Sequence, residues 1–233
     1  MSKSELRVLS AGAVKSGVSQ VAKEFERATG TRVTVEFNTA PELRKRIAAG
    51  EAADVIVAPP AAMDEFQKLG KIDAGTRGFV GRSRMGVVVH SDATAPDFSD
   101  AAAFKRALQA ASAVVHNKAS SGIYCAKLLE KLGLKEALGA KVVVVDSGSA
   151  VMKIVAERGP GAVGLAQISE VMVMIDKGCA VKLAAPLPDA IQNVTSYEAA
   201  ATATSRSPDA ARKLAKSLAS DAAKKIFAAT GIS

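Results

Sequence analysis

The sequence predicts an α/β protein of two lobes, each a mainly parallel sheet flanked by helices, and three observations carry that prediction. Short β-branched runs alternate with segments of helical periodicity, the order that successive βα units leave in a chain. Apolar residues form 48% of the 233, whereas Trp is absent and aromatics reach only 4%, so the core must be built from Ala, Val, Leu and Ile, as in buried strands under Ala-rich helices. The alternation also breaks twice at polar or Pro-containing stretches, and the length is enough for two cores.

Leu6 to Ser10 is the first expected strand, followed by the glycine turn Ala11 to Ala13. Val18, Val21, Ala22 and Phe25 then recur at helical spacing, and Thr29-Gly30 stops the helix. Arg32 to Phe37 alternates as a strand, Pro41 opens a helix over Glu42 to Ala49, and Asp54 to Ala58 is a third strand. Pro59 and Pro60 lead into a helix around Met63, Phe66 and Leu69. Arg84 to His90 reads as a strand, and Ser91 to Asp100 as the first crossing between lobes. A second series follows: helix Ala101 to Ala111, strand Ala113 to His116, helix Gly122 to Leu132, strand Lys141 to Asp146, helix Ala150 to Arg158 and strand Ala162 to Ala166. Ala180 to Pro188 is expected to be the return crossing. A strand near Thr195 to Thr204 and two helices from Pro208 onward then pack back on the first lobe. The expected division is residues 1–88 plus 187–233 for lobe one and 89–186 for lobe two, with two hinge crossings and a ligand cleft between the lobes.

The balance of 31 basic to 23 acidic residues, a net +8, favours acidic partners without naming one. Nucleic acid is not expected, because Arg212, Lys213, Lys216, Lys224 and Lys225 fall at helical spacing and lack aromatic stacking partners. Cys125 and Cys179 are far apart, as are His90 and His116, with no metal-ligand spacing; free thiols, no metal and no cofactor are expected. Met1 to Glu5 leads straight into the apolar run at Leu6, leaving no room for a secretory signal. The expectation is a cytoplasmic monomer without membrane insertion, periplasmic only if a leader had been removed.

Four turns share one chemical character: Ser10 to Val14 with Gly12 and Ala13, Asn38 to Pro41 with Thr39 and Ala40, Ala119 to Gly122 with Ser120 and Ser121, and Asp146 to Ala150 with Ser147, Gly148 and Ser149. Each follows a strand and precedes a helix, so each offers free backbone N–H groups at the positive end of a helix dipole. Such groups hold an anion without a counter-charged side chain, outside the carboxyl ends of the strands where open α/β sheets bind ligands. Ser, Thr and Asn are also ordinary helix caps, so it is the recurrence in both lobes that points to a site. Arg82, Arg84, Lys15 and Lys118 lie near the crossing or the turns. Arg82 and Arg84 are the more attractive additions, since a planar fork matches a carboxylate.

The segments Val8 to Lys15, Phe37 to Ile47, Ala53 to Ala58, Ser121 to Gly133 and Val163 to Val171 together resemble the periplasmic molybdate-binding protein family. The resemblance implies the type 2 periplasmic-binding-protein fold, with two lobes and the ligand in the cleft. In that family a serine in the first turn, a serine in the second and a tyrosine after the last lobe-two strand contact the oxyanion. The matching positions here are Ala13, Thr39 or Ala40, and Gln167. Each lost donor costs on the order of 1–3 kcal/mol, so molybdate is a poor ligand by this comparison. Gln167 both donates and accepts, which a carboxylate-bearing metabolite would use.

The resemblance extends to aconitate isomerase, which moves a double bond in a tricarboxylate. Three readings are therefore open: a binder of a small carboxylate anion, an isomerase of a di- or tricarboxylate, and an oxyanion-transporter component, whose ABC transporter partner is not expected without a leader. An isomerase needs anion clamps and a base; the candidates are His116, Glu170, Tyr124 and Lys15. A Gly-x-Ser-x-Gly elbow is absent, as are the further glycines of a dinucleotide fingerprint.

Overall fold

A computed structural model describes residues 5–233; the start of the chain before Glu5, on which the expectation of no leader rests, lies outside the described residues. In chain order the elements are β1 (Glu5–Ala11), α1 (Lys15–Thr29), β2 (Arg32–Asn38), α2 (Ala40–Ala48), β3 (Val55–Ala58), α3 (Pro60–Lys68), β4 (Gly78–His90), α4 (Ala101–Ala110), β5 (Ala113–Asn117), α5 (Ser120–Lys131), α6 (Lys135–Leu138), β6 (Val142–Val145), α7 (Gly148–Arg158), β7 (Ala162–Gln167), α8 (Ile168–Asp176), β8 (Val181–Pro186), β9 (Val194–Ala201), α9 (Pro208–Leu218) and α10 (Asp221–Ala229). Two compact units divide the chain: residues up to Ser83 with Thr195–Ser233, and Arg84–Val194.

In the first unit β1 pairs in parallel with β2 and β3, and β3 pairs antiparallel with β9. Val55 to Ala58 is buried throughout, as a strand covered on both faces must be. The stripe Val18, Val21, Ala22 and Phe25 of α1 is buried as its spacing requires, and Gly30 closes that helix in the left-handed region at φ 72°. Leu69, expected in one helix with Met63 and Phe66, is instead the residue that ends it and is 52% exposed, because α3 stops at Lys68 and its buried face does not continue.

An ion network ties this sheet to α2. The Arg7 guanidinium reaches Glu36 at 2.7 Å and Glu51 at 2.5 Å, and Arg46 reaches the same two carboxylates at 2.7 and 2.5 Å. The Arg46 guanidinium, and then that of Arg7, holds Glu51 at about 2 against an ordinary 4.5. A carboxylate depressed on folding stabilises fully above its unfolded value and loses that contribution as pH falls through the folded one. Melting temperature should therefore decline below about pH 4.5 and toward pH 2, and Glu51→Gln should flatten that decline in a pH series of thermal melts. An equally steep decline in the variant would remove Glu51 from the account.

The second unit is built on β4, which pairs antiparallel with β7 and β8, while β5 pairs in parallel with β7 and β6. Its sheet thus mixes both senses. Two segments of this unit differ from their expected form. Val181 to Pro186, expected as part of a bare crossing, is strand β8, its backbone satisfied by β4. Ile168 to Asp176, for which no element was expected, is helix α8, burying Ser169, Val171 and Met174. The chain after β8 stays with this unit through Gln192, whose side chain accepts from Met85 N at 2.8 Å and donates to the carbonyls of Met85 at 3.1 Å and Leu187 at 2.9 Å. Both thiols are free; Cys125 is buried and pushed up to about 12 by that burial, so it is inert at neutral pH. Among the described residues no helix is long and apolar enough to cross a membrane.

Candidate functional site

In the first unit two of the four turns lie side by side. β1 and β2 are parallel neighbours with Ala11 opposite Asn38, so the chain leaves both strands at the same edge. Gly12 to Val14 forms one 3-10 turn ahead of α1, with no side-chain cap. Beside it Thr39 caps α2, its hydroxyl accepting from Glu42 N at 3.4 Å, and Pro41 occupies the first turn where no N–H is needed. Ala13 and Ala40 leave their amides at these starts without a side chain that could compete for them. Two members of the first turn are otherwise engaged: Ser10 is fully buried and donates its hydroxyl to Ala11 O at 3.1 Å, and the Val14 side chain belongs to the core. Lys15 Nζ stands over the Phe37 ring at 5.3 Å. Arg82 covers Phe79 at 5.2 Å, and its backbone brackets Ser233.

The second unit brings three helix starts together, because β5 lies between β7 and β6 and all three run parallel. α5 begins without a side-chain cap at Ala119, which leaves the amides of Ser120, Ser121 and Gly122 without intrahelical acceptors. Asn117 shapes this start and carries no signal in the sequence. It is 1% exposed, accepts from Ala119 N at 2.8 Å and donates to Ser121 Oγ at 3.1 Å. Its carbonyl turns inward so far that a Cβ on Gly122 would stand 1.4 Å from it. α7 begins with Ser147, whose hydroxyl accepts from Ala150 N at 3.3 Å and meets Ser149 Oγ at 3.1 Å. α8 begins at Gln167, which ends β7, and carries Glu170 in its first turn.

The remaining candidates separate by what they already touch. His116 is 5% exposed and its Nδ1 lies 2.9 Å from Asn117 O, so its ring is committed to the β5 turn. Tyr124 donates its hydroxyl to Ile191 O at 2.8 Å, and burial holds the phenol above its ordinary range. Lys118 pairs with Asp146 at 2.5 Å. Arg84 pairs with Asp189, while its Nε is buried without a partner. Glu170 is pushed up from its ordinary value by burial alone. Among the described residues no group of three His, Cys, Asp or Glu could hold a metal ion.

Residues 6–233 match the family model of the bacterial extracellular solute-binding proteins. An aconitate isomerase of a Pseudomonas species is 31% identical over 228 residues, spanning 95% of this chain and 85% of that one. Among solved structures, the periplasmic molybdate-binding protein of Azotobacter vinelandii superposes with a TM-score of 0.74 at 17% identity, covering 98% of both chains. A sulfate-binding protein of Mycobacterium tuberculosis gives 0.73 at 19% identity, covering 98% of this chain and 86% of that one. At these identities the structures establish the fold.

Proposed function

Because the chain belongs to the bacterial extracellular solute-binding family, we propose that its solute is a small carboxylate anion held by backbone amides at the helix starts. The observation that carries this reading is the make-up of those starts. Each unit has its own pair: N–H groups at Gly12 to Val14 and at Ala40 in the first, and at Ser120 to Gly122 and Gly148 to Ser149 in the second, each at the positive end of a helix. At the positions where the resemblance to molybdate binders implies hydroxyl and phenol contacts with an oxyanion, this chain has Ala13, Thr39 or Ala40, and Gln167. Several backbone amides suit a small carboxylate, because such groups hold an anion without a counter-charged side chain.

A panel of di- and tricarboxylates tests this by thermal melting. A ligand at about 100 times its Kd adds about 2.7 kcal/mol, which is roughly 5–10 °C in Tm for a chain of this size. Such a rise is expected with at least one carboxylate and not with molybdate, tungstate or sulfate. A rise with molybdate and none with the carboxylates would overturn the reading.

A second reading, isomerisation of the bound carboxylate by moving a proton and a double bond, is favoured by the relative that is named an isomerase and matches 95% of the chain. Incubation with the same panel in deuterated water, followed by NMR, should show exchange of a carbon-bound proton next to a carboxylate. Absence of exchange across the panel would leave the protein a binder.

A further inference from the structure

Glu170 stands in the first turn of α8, and its carboxyl lies against Gly148, the first residue of α7. A Cβ built at Gly148 would lie 2.0 Å from Oε2, 2.4 Å from Cδ and 2.6 Å from Oε1 of Glu170. A glycine at this position is therefore what lets the whole carboxyl group pack against the first residue of α7. A carboxylate in such a place ordinarily caps the free amides or pairs with a cation. Glu170 does neither: among the described residues the polar contacts around this start belong to Ser147, Ser149, Lys118 and Asp146. Ser169 beside it is 5% exposed, and its buried hydroxyl also lacks a partner.

We infer that Glu170 is the proton carrier of the isomerisation, an assignment that rests on the second reading of the function. Its carboxylate takes a proton from a carbon adjacent to a substrate carboxylate. The electron pair of the broken C–H bond delocalises over the neighbouring double bond and that carboxylate. The same carboxyl, its proton exchanging with solvent between the two transfers, then protonates the far carbon of the three-carbon unit, and the double bond moves by one position. Nothing is oxidised or reduced, and no other reactant is consumed. The amides of Gly148 and Ser149, which Glu170 does not cap, open α7 and would hold the negative charge that builds up on the substrate. Glu170 is half-buried, and a carboxyl withdrawn from water is a stronger base than an exposed one. The other three candidates are engaged: His116 with Asn117 O, Tyr124 with Ile191 O and Lys15 with the Phe37 ring.

Glu170→Gln keeps the shape and removes the basic oxygen. Since burial disfavours a charge there, the variant should melt at or above the parent's temperature. Proton exchange with the carboxylate panel should fall by about 10²–10⁴-fold, with the carboxylate-induced rise in Tm retained, and Glu170→Asp should recover part of the exchange. Gly148→Ala, which displaces the carboxyl while leaving Glu170 in place, should also lower exchange. Undiminished exchange in Glu170→Gln overturns the assignment alone, as does loss of the carboxylate-induced rise together with exchange. A parent protein that exchanges no proton on any member of the panel overturns the isomerase reading, and the assignment falls with it.

Discussion

Gly122→Ala should cost about 3 kcal/mol or more and lower Tm by roughly 10 °C, although it adds a single methyl group to a helix. The added carbon would stand 1.4 Å from Asn117 O, 2.3 Å from Asn117 C and 2.8 Å from Asn117 Oδ1. Two of those atoms are backbone, so no side-chain rotation relieves the overlap. Either the end of β5 or the start of α5 must move. Moving β5 disturbs its pairing with β6 and β7; moving α5 carries Cys125, Leu128 and Leu129 out of the core. Gly12→Ala is the control. Its Cβ would meet only Asn38 O at 3.9 Å, an ordinary contact, and stability should stay within about 0.5 kcal/mol of the parent. Similar urea midpoints for the two variants would refute this account of the α5 start.

That contrast marks how far the sequence can be read. Both glycines follow a strand and lie where a helix opens, and nothing in their local sequence separates them. Gly122 is required because the Asn117 carbonyl stands against it, and Asn117 is a residue whose hydrogen bonds to Ala119 and Ser121 follow no periodicity. Elements whose identity lies in spacing are legible: the stripe of α1, the all-buried run of β3 and the proline-opened α2. α8 is not, because Ile168, Val171, Val173 and Ile175 interleave β-branched residues into a short helix directly after a strand, and the two periods blur. β8 is hidden by its composition, with two alanines and a proline in six residues; only pairing with β4 makes it a strand. The helix starts of the candidate site are legible as turns. Gly148 and Glu170 belong to different βα units, and their contact exists only once β7, β5 and β6 are side by side.

Phe227→Ala should destabilise the first unit by about 3–5 kcal/mol, and the way it combines with a change at Gly17 tests how that unit closes. Phe227 is 1% exposed on α10, within the same core as α1. A Cβ on Gly17 of α1 would meet its ring at 2.2 and 2.4 Å, so ring and glycine fill one volume. Gly17→Ala alone should cost about 1–3 kcal/mol from overlap, partly offset by a helix propensity gain of about 1 kcal/mol. In the double variant the methyl enters the space the ring has left, so the combined cost should fall below the sum by about 0.5–3 kcal/mol, read from urea denaturation of the parent, the two single variants and the double. Strict additivity would mean that α1 and α10 are not in this contact. The same end of the chain is held at Gly81, where a Cβ would lie 2.4 Å from Ile232 Cγ2, and at Arg82, whose backbone exchanges hydrogen bonds with Ser233. The first unit thus takes its last core residues from a segment that follows the whole second unit in sequence, and its stability depends on that segment packing on α1 and β4.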